Sequence, residues 1–400
     1  MLRHVGHSVE HVNSKAHARW RLSTGGTLLD LSGGPLLDGL TEIEPPPPEV
    51  FATISGAGGI DTDRRRAIER DVTRRGGSSC AGALWTSSGS DAVELAIWAV
   101  RSAEDTNANA YVVREGSYHG NTYLTRWLST RRGTPDPGPA DATRSVLREH
   151  RHDAGDGDHG LLSALERAAP PPGAILVLES VATTGRVLWP GVTSYREILR
   201  WCRERQIRVV MDEVAAGVYR HGWFSAFDWS AADASPDAVV LSKGLTCGRH
   251  PLGCVLLSPR IAERLRGASG RLPGFTSGLS DAAAWWTERC LEIYDRLSAD
   301  GTRARRADVV AAAIERLAAV TADADVEGTD TTVRIALRDG PLAGRFAAAL
   351  RRDHLAVYRT RAGFSDGARD FFLVSPALDL PPATVASALA SAARCLEASS

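Results

Sequence analysis

The sequence predicts an α/β fold, a mostly parallel sheet flanked by helices, joined to a smaller α+β domain. Three observations carry that expectation. Short apolar runs at Tyr111–Val113, Ala174–Leu178, Ile207–Met211 and Ala238–Leu241 recur along the first two thirds of the chain. Helical patterns lie between them, such as the i, i+3, i+4, i+7 repeat of Val93, Ala96, Ile97 and Val100. Strands alternating with helices imply crossover connections and parallel pairing. From residue 281 the alternation stops: a long helical tract, Asp281–Leu317, gives no strand signal until Thr332–Leu337. An amphipathic helix at Leu342–Arg352, strands near Ala356–Arg359 and Phe371–Val374, and an alanine-rich helix at Pro382–Leu396 complete this second region.

The bulk numbers bound the class. The 400 residues are 43% hydrophobic and 24% charged, ordinary values for a globular protein able to bury a large core. A net charge of −1 offers no basic field for nucleic acid or an anionic membrane. The six cysteines include no CxxC pair and read as free thiols of a reducing, cytoplasmic compartment. The first twenty residues lack the apolar core of a signal peptide, and no apolar run is long enough to span a membrane.

In chain order, residues 1–48 begin polar, reach a strand-like Thr27–Leu31, and end in the run Pro45–Pro48, read as the seam before the main domain. The expected division is 1–48 as an N-terminal part of the small domain, 49–290 as the large domain and 291–400 as the rest of the small one. A charged helix covers 61–75, and Ala83–Thr86 is a strand. Ser87-Ser88-Gly89-Ser90 then leads into a helix. Strand, Ser/Gly turn and helix make an anion site from free N–H groups and hydroxyls, or a plain helix cap. Tyr118-His119-Gly120 follows the Tyr111–Val113 strand and sets an aromatic ring beside a glycine, suited to a planar ligand or to a core. Residues 129–160 read as a long loop holding at most a short strand. Within it, His150, His152, Asp153, Asp156, Asp158 and His159 match no standard metal spacing and read as solvated, so no metal is expected.

A helix at Leu161–Ala169 precedes the strand that ends at Glu179, and a helix at Ser194–Arg205 precedes the strand that ends at Asp212. An acid closing an apolar strand needs a partner: a metal, a cationic side chain or a protonated ring nitrogen. Otherwise it caps a helix over Val214–Tyr219. The Ala238–Leu241 strand delivers Ser242-Lys243-Gly244. The chain holds only two lysines, Lys15 and Lys243, and uses arginine everywhere else. Arginine stays protonated and forms no Schiff base, whereas a lysine amine can be tuned to do so. A phosphate-binding turn, a stacking aromatic, an acid for a ring nitrogen and an amine are together the parts for pyridoxal 5′-phosphate.

The motifs as a set resemble the class III (ornithine/omega-type) aminotransferases of the fold type I group. Asp212-Glu213-Val214 with Gly217, Arg220 and Gly222 resembles the family's DEV…GxxRxG stretch; Pro236-Asp237, Lys243-Gly244 and Pro251-Leu252-Gly253 resemble its PD…KG…PLG stretch. Ser88-Gly89-Ser90-Asp91 resembles SGSE, Ser117 to Gly120 fits YHG, and Glu179 with Gly185 and Pro190 is a degraded EPxxG. The resemblance runs in order over residues 25–380. It implies that Ser88, Gly89 and Ser90 bind the phosphate, Tyr118 stacks on the ring beside His119, and Val214 packs on the other face. It further implies that Asp212 pairs with the ring nitrogen, that Lys243 is the Schiff-base lysine and proton shuttle, and that Glu179 lies at the cofactor. Thr276 matches the threonine that reaches the neighbouring subunit's phosphate, which implies a homodimer.

Two departures bear on substrate. Leu279-Ser280-Asp281 replaces the family's Gly-Asn-Pro, and Leu373 stands where many members carry an arginine for a substrate α-carboxylate. Arg359, Arg361 and Arg369 are candidates to replace it. The expected function is transfer of an amino group from a small-molecule donor to a ketone or aldehyde by a ping-pong mechanism, in a specialised biosynthetic pathway. The alternatives are an aminomutase or racemase on the same site, and a non-catalytic homologue that binds the cofactor.

Overall fold

Strands apolar on both faces must be covered on both, and the sequence between them supplies the covering helices. The computed structural model describes residues 12–16, 19–22, 26–32, 40, 43, 46–48, 50, 62–104, 109–130, 138–148, 159–182, 192–221, 224–225, 235–267, 278–364 and 367–400. At 12–16, 20–22, 159, 192–193, 360–364 and 367–369 it describes the backbone alone. The chain opens with β1 (Val12–Ala16), β2 (Arg19–Leu22) and β3 (Thr27–Asp30). Then come α1 (Asp63–Arg75), β4 (Gly82–Thr86), α2 (Gly89–Glu104), β5 (Ala110–Arg114), α3 (Tyr123–Leu128), β6 (Thr143–Leu147) and α4 (His159–Ala168). They are followed by β7 (Ile175–Glu179), α5 (Val192–Glu204), β8 (Arg208–Asp212), β9 (Ala238–Leu241), β10 (Gly253–Leu257) and α6 (Pro259–Gly267). The last third holds α7 (Asp281–Ala299), α8 (Thr302–Ala318), β11 (Ala324–Gly328), β12 (Val333–Leu337), α9 (Gly340–Arg352), β13 (Leu355–Ala356), β14 (Tyr358–Phe364), β15 (Gly367–Val374) and α10 (Pro382–Glu397).

The central sheet has the order β4-β10-β9-β8-β7-β5-β6. From β6 across to β9 every pair is parallel, as expected. β10 alone runs against its neighbours β9 and β4. Its direction follows from length: the segment from 242 to 252 is too short for a crossover, which takes about a dozen residues or more. Side chains alternate between two cores. Val209 and Met211 join Leu161, Ile198 and Leu291 on one face, while Val210, Val240 and Val255 join Val93, Val100 and Ile261 on the other. Each such aliphatic side chain, fully buried, contributes about 1.5–3 kcal/mol.

The second region is an antiparallel sheet, β11-β12-β15-β14, packed on α8, α9 and α10 through Val310, Phe346, Phe372 and Leu389. The N-terminal strands belong with it: β3 pairs in parallel with β13, and Ser375 N–H donates to Leu31 O at 2.7 Å. Arg306 of α8 is fully buried and donates to the carbonyls of Pro376, at 2.7 Å, and Ala377.

Four expectations are corrected. The Asp281–Leu317 tract is two helices, broken where Gly301 takes φ 72°, a conformation glycine adopts without steric cost. β11 escaped notice because Ala-Asp-Val-Glu-Gly is poor in strand formers and only half-buried at the sheet edge. β1 and β2 lie in sequence that reads as polar. Val214–Tyr219 is a series of turns rather than a helix, because Val218 and Tyr219 take left-handed φ values of 57° and 62°. Pro45 and the His/Asp tract from His150 to Asp158 lie outside the described residues.

Gly253 marks how closely β10 meets the turn after β4. A Cβ there would lie 2.2 Å from Ser88 O and 2.3 Å from Thr86 Oγ1. Gly253→Ala is expected to cost about 1–3 kcal/mol in urea unfolding. Gly344→Ala, exposed within α9 with nothing within 4 Å of the new Cβ, is expected to add about 0.5–1 kcal/mol. Equal effects at the two positions would refute the close packing.

Candidate active site

The carboxyl ends of β5, β7, β8 and β9 share one edge of the sheet, where ligand crevices form in such folds. Parallel register sets Glu179 beside Asp212 and Asp212 beside Val240. Lys243 follows two residues after β9, in a 3-10 turn over Lys243–Leu245. One pocket is lined by Gly89, Ser90, Tyr118, His119, Gly120, Glu179, Val181, Asp212, Val214, Ala215 and Lys243. Every expected site residue is there except Ser88, which sits behind it, and Thr276, which lies outside the described residues. Val181 and Ala215 complete the wall; as small apolar residues beside polar ones they gave no signal of their own.

At the start of α2, Ser88 Oγ accepts from Asp91 N–H at 3.2 Å and donates to Asp91 Oδ2 at 2.7 Å. Its hydroxyl is therefore occupied as a helix cap. Ser90 Oγ accepts from Asn121 N–H at 3.1 Å, tying this turn to the loop after β5. Gly89 is where three motifs meet: a Cβ there would lie 2.8 Å from Val214 Cγ1 and 3.2 Å from Ser242 Cβ. Gly89 thus lets the turns after β8 and β9 close on the start of α2, and Gly89 and Ser90 at that helix end line the pocket as a cradle that suits a phosphate.

Asp212 closes β8 at the pocket floor, 5% exposed. Its Oδ2 lies 2.8 Å from His119 Nδ1 and its Oδ1 accepts from Val214 N–H at 3.0 Å. A carboxylate only accepts, so the ring nitrogen facing it carries the proton. Lone pairs remain for one more donor from the pocket. Of the partners Asp212 could take by sequence, the side chain the structure places on it is His119. A buried acid, a phosphate cradle and an amine in one pocket fit pyridoxal phosphate.

Lys243 is buried, and burial lowers its pKa, against the pull of Asp212 and Glu179 and with the help of Arg220. A lysine held toward its neutral form is a nucleophile. The carboxyl of Glu179 is pushed up to about 7, first by burial and then by Asp212, against His119, the Tyr118 N–H and Arg114.

Position 373 is less polar than the family pattern. Leu373 is 2% exposed and packs into the large core, with Arg334 and Tyr358 beside it on the neighbouring strands. Arg334 donates to Glu327 at 3.3 Å and lies over Phe371. Arg359 aligns with Phe372, hence on the opposite face from Leu373, and is ion-paired to Asp370. The side chains of Arg361 and Arg369 lie outside the described residues. Sequence reading missed the buried Arg220 as a site neighbour; its Nη1 donates to Ser375 Oγ at 2.9 Å.

The Glu179 shift has a definite sign. Folding raises its pKa from 4.5 to about 7, so the folded chain keeps a proton that the unfolded chain releases. The stabilising contribution is full below 4.5 and is lost as pH rises through about 7. Urea unfolding of Glu179→Gln is expected to gain on the wild type by about 3 kcal/mol across that window. Parallel pH profiles for the two proteins would show that Glu179 ionises freely.

Known proteins share this chain's sequence pattern and its fold. The family model for aminotransferase class-III matches residues 58–322. The acetylornithine aminotransferase of Methanopyrus kandleri is 29% identical over 180 residues, which is 45% of this chain and 43% of that protein. The ornithine aminotransferase of Bacillus cereus is 30% identical over 178 residues, 42% of this chain and 41% of that protein. The matched stretch thus spans less than half the length of these relatives. In fold, the chain is similar to a PLP-bound amine transaminase from an uncultivated Pseudomonas species, with TM-score 0.80 and 21% identity over 99% of this chain and 98% of that one. The ornithine aminotransferase of Toxoplasma gondii gives TM-score 0.79 at 17% identity, over 98% and 93%. With the matched model covering well over half of its length, the chain belongs to the class-III aminotransferase family.

Proposed function

We propose that the chain is a pyridoxal phosphate-dependent aminotransferase that moves an amino group from a small-molecule donor to a ketone or aldehyde. The observation that carries this reading is the meeting of Lys243, the Asp212–His119 pair and the α2 N-terminus in one pocket. When bound, the cofactor supplies an electron sink for a carbanion at the substrate carbon. The chain supplies the rest. The Ser88–Ser90 turn would hold the phosphate, and Tyr118 and Val214 would flank the ring. Asp212, kept in place by His119, would accept from the ring nitrogen. The Nζ of Lys243 carries the proton between positions as general base and then general acid.

The pattern at Thr276 supports a homodimer in which Thr276 of the partner subunit reaches the phosphate. The pairing of β3 with β13 supports residues 1–48 and 291–400 as one small domain beside 49–290. Leu373, packed among apolar side chains, supports an acceptor without an α-carboxylate, of the kind made in specialised biosynthesis. The free cysteines suit a reducing compartment such as the cytoplasm. Among the described residues no helix is long and apolar enough to cross a membrane.

Purified chain given pyridoxal phosphate should absorb in the visible, and borohydride should fix the cofactor on Lys243. Lys243→Arg should retain the charge and lose transfer by at least about 100-fold. Transfer kinetics should show the ping-pong dependence on a separate donor. Label on Lys15, or no visible absorbance, would end the reading; conversion of one substrate without a donor would replace transfer by isomerisation.

A further inference from the structure

The chemistry proposed for this pocket leaves one buried acid without a task. Glu179 ends β7 in register with Asp212, and its side chain lines the pocket that holds Lys243 and His119. Partners in register on neighbouring strands project to the same face, so the two carboxyls stand side by side. Their surroundings differ. Asp212 receives His119 Nδ1 at 2.8 Å and Val214 N–H at 3.0 Å. Glu179 is dominated by burial, with Asp212 adding repulsion. The groups facing it are Arg114 at the end of β5, Tyr118 and His119 from the loop after it, Asp212 from β8 and Lys243 from the turn after β9. From α5, Tyr195 OH donates to the Glu179 carbonyl at 3.1 Å, behind the pocket. His119 Nε2 is buried with no hydrogen-bond partner among the described residues, so the ring is anchored through Asp212 alone. Neighbouring carboxyls in unlike environments can take different tasks.

We propose that Glu179 is a positioning residue for proton transfer, whose charge, felt across the pocket, sets the pH at which Lys243 Nζ gains or loses its proton. This deepens the proposed function, because it takes Lys243 as the working amine. A charged Glu179 favours the ammonium form of Lys243, and a neutral one releases it. Both groups are desolvated, and the charge on Glu179 raises the Lys243 pKa; linkage makes the effect reciprocal. The carboxyl thereby links the ambient pH to the fraction of Lys243 able to attack or to abstract a proton.

The test needs no cofactor. The full chain is treated with cyanate across a range of pH, and carbamylation at each lysine is followed by peptide mass spectrometry. Lys15 is the other lysine in the sequence and serves as the internal reference. Glu179→Gln should lower the apparent pKa of Lys243 by about one unit, making its amine about tenfold more reactive at a fixed pH below that value. Glu179→Asp, which retains a carboxylate, should stay closer to the wild type, and Lys15 should not move in either variant. Superimposable Lys243 profiles for wild type and Glu179→Gln would overturn the proposal. The reciprocal variant Lys243→Met reads the same coupling from the other side. The infrared carbonyl band of the protonated, buried carboxyl should persist to a pH about one unit higher than in the wild type; an unmoved band would equally overturn it. Because visible absorbance and borohydride trapping report on the cofactor reading alone, either conclusion can fail without the other.

Discussion

An amine and two carboxyls are held in a dry crevice at one edge of a rigid sheet, and most of the architecture serves that constraint. Taking an ionised group out of water costs several kcal/mol unless it is paired or changes its protonation state. The crevice uses both responses. Asp212 is paired, through His119 and a backbone N–H. Lys243 and Glu179 are moved toward their neutral forms. Such settings hold only if the distances hold. The strands beneath supply that rigidity, because all five residues of β7 and four of five in β8 are buried.

The loops that close the crevice are tightly packed rather than loose. The turn carrying Lys243 leaves β9 through Ser242, with φ −158° and ψ −100°, and Ser242 Oγ donates to Leu252 O at 2.6 Å across the loop. Against Gly244 lies Val218, a β-branched residue at φ 57°; a Cβ on Gly244 would meet Val218 Cβ at 2.8 Å. A left-handed valine is a strained conformation that persists only where its neighbours enforce it. Those neighbours include α7, whose Tyr294 OH lies 2.9 Å from Cys247 Sγ, itself on a left-handed residue just beyond the turn. The helix that opens the last third of the chain thus braces the lysine of the middle third.

Much of this was legible in the sequence. Buried strands announce themselves by continuous apolar runs, and a polar residue closing each run marks the functional edge; Glu179, Asp212 and Lys243 were found that way. The two-lysine composition singled out Lys243 before any partner was known. What stayed hidden had physical reasons. β11 and the first two strands are stabilised by pairing rather than by their own propensity. The turns after Asp212 follow from tertiary packing on Gly244, which no local pattern announces. Ser88 was legible as a polar turn residue, yet only coordinates divide its cap role from the cradle at Gly89 and Ser90. Arg220 was visible as part of a motif, but its burial against Ser375 depends on contact between residues 155 apart.

That contact bears on the apolar residue at 373. The segment following β15 is held by two buried guanidiniums, Arg220 on Ser375 and Arg306 on the carbonyls of Pro376 and Ala377. Burial, and then the nearby Arg220, lower the pKa of Arg306 to about 9, against the pull of Asp379 and Asp330. Arg334, in register with Leu373, is a third buried guanidinium and is paired with Glu327. A further guanidinium at 373 would stand beside it as a buried cation, costly until a carboxylate met it. Leucine removes that demand and adds packing to the large core instead. Under the proposed function, an arginine at 373 would repay its desolvation only with a carboxylate ligand, whereas leucine would suit a carbonyl compound whose recognised portion is apolar.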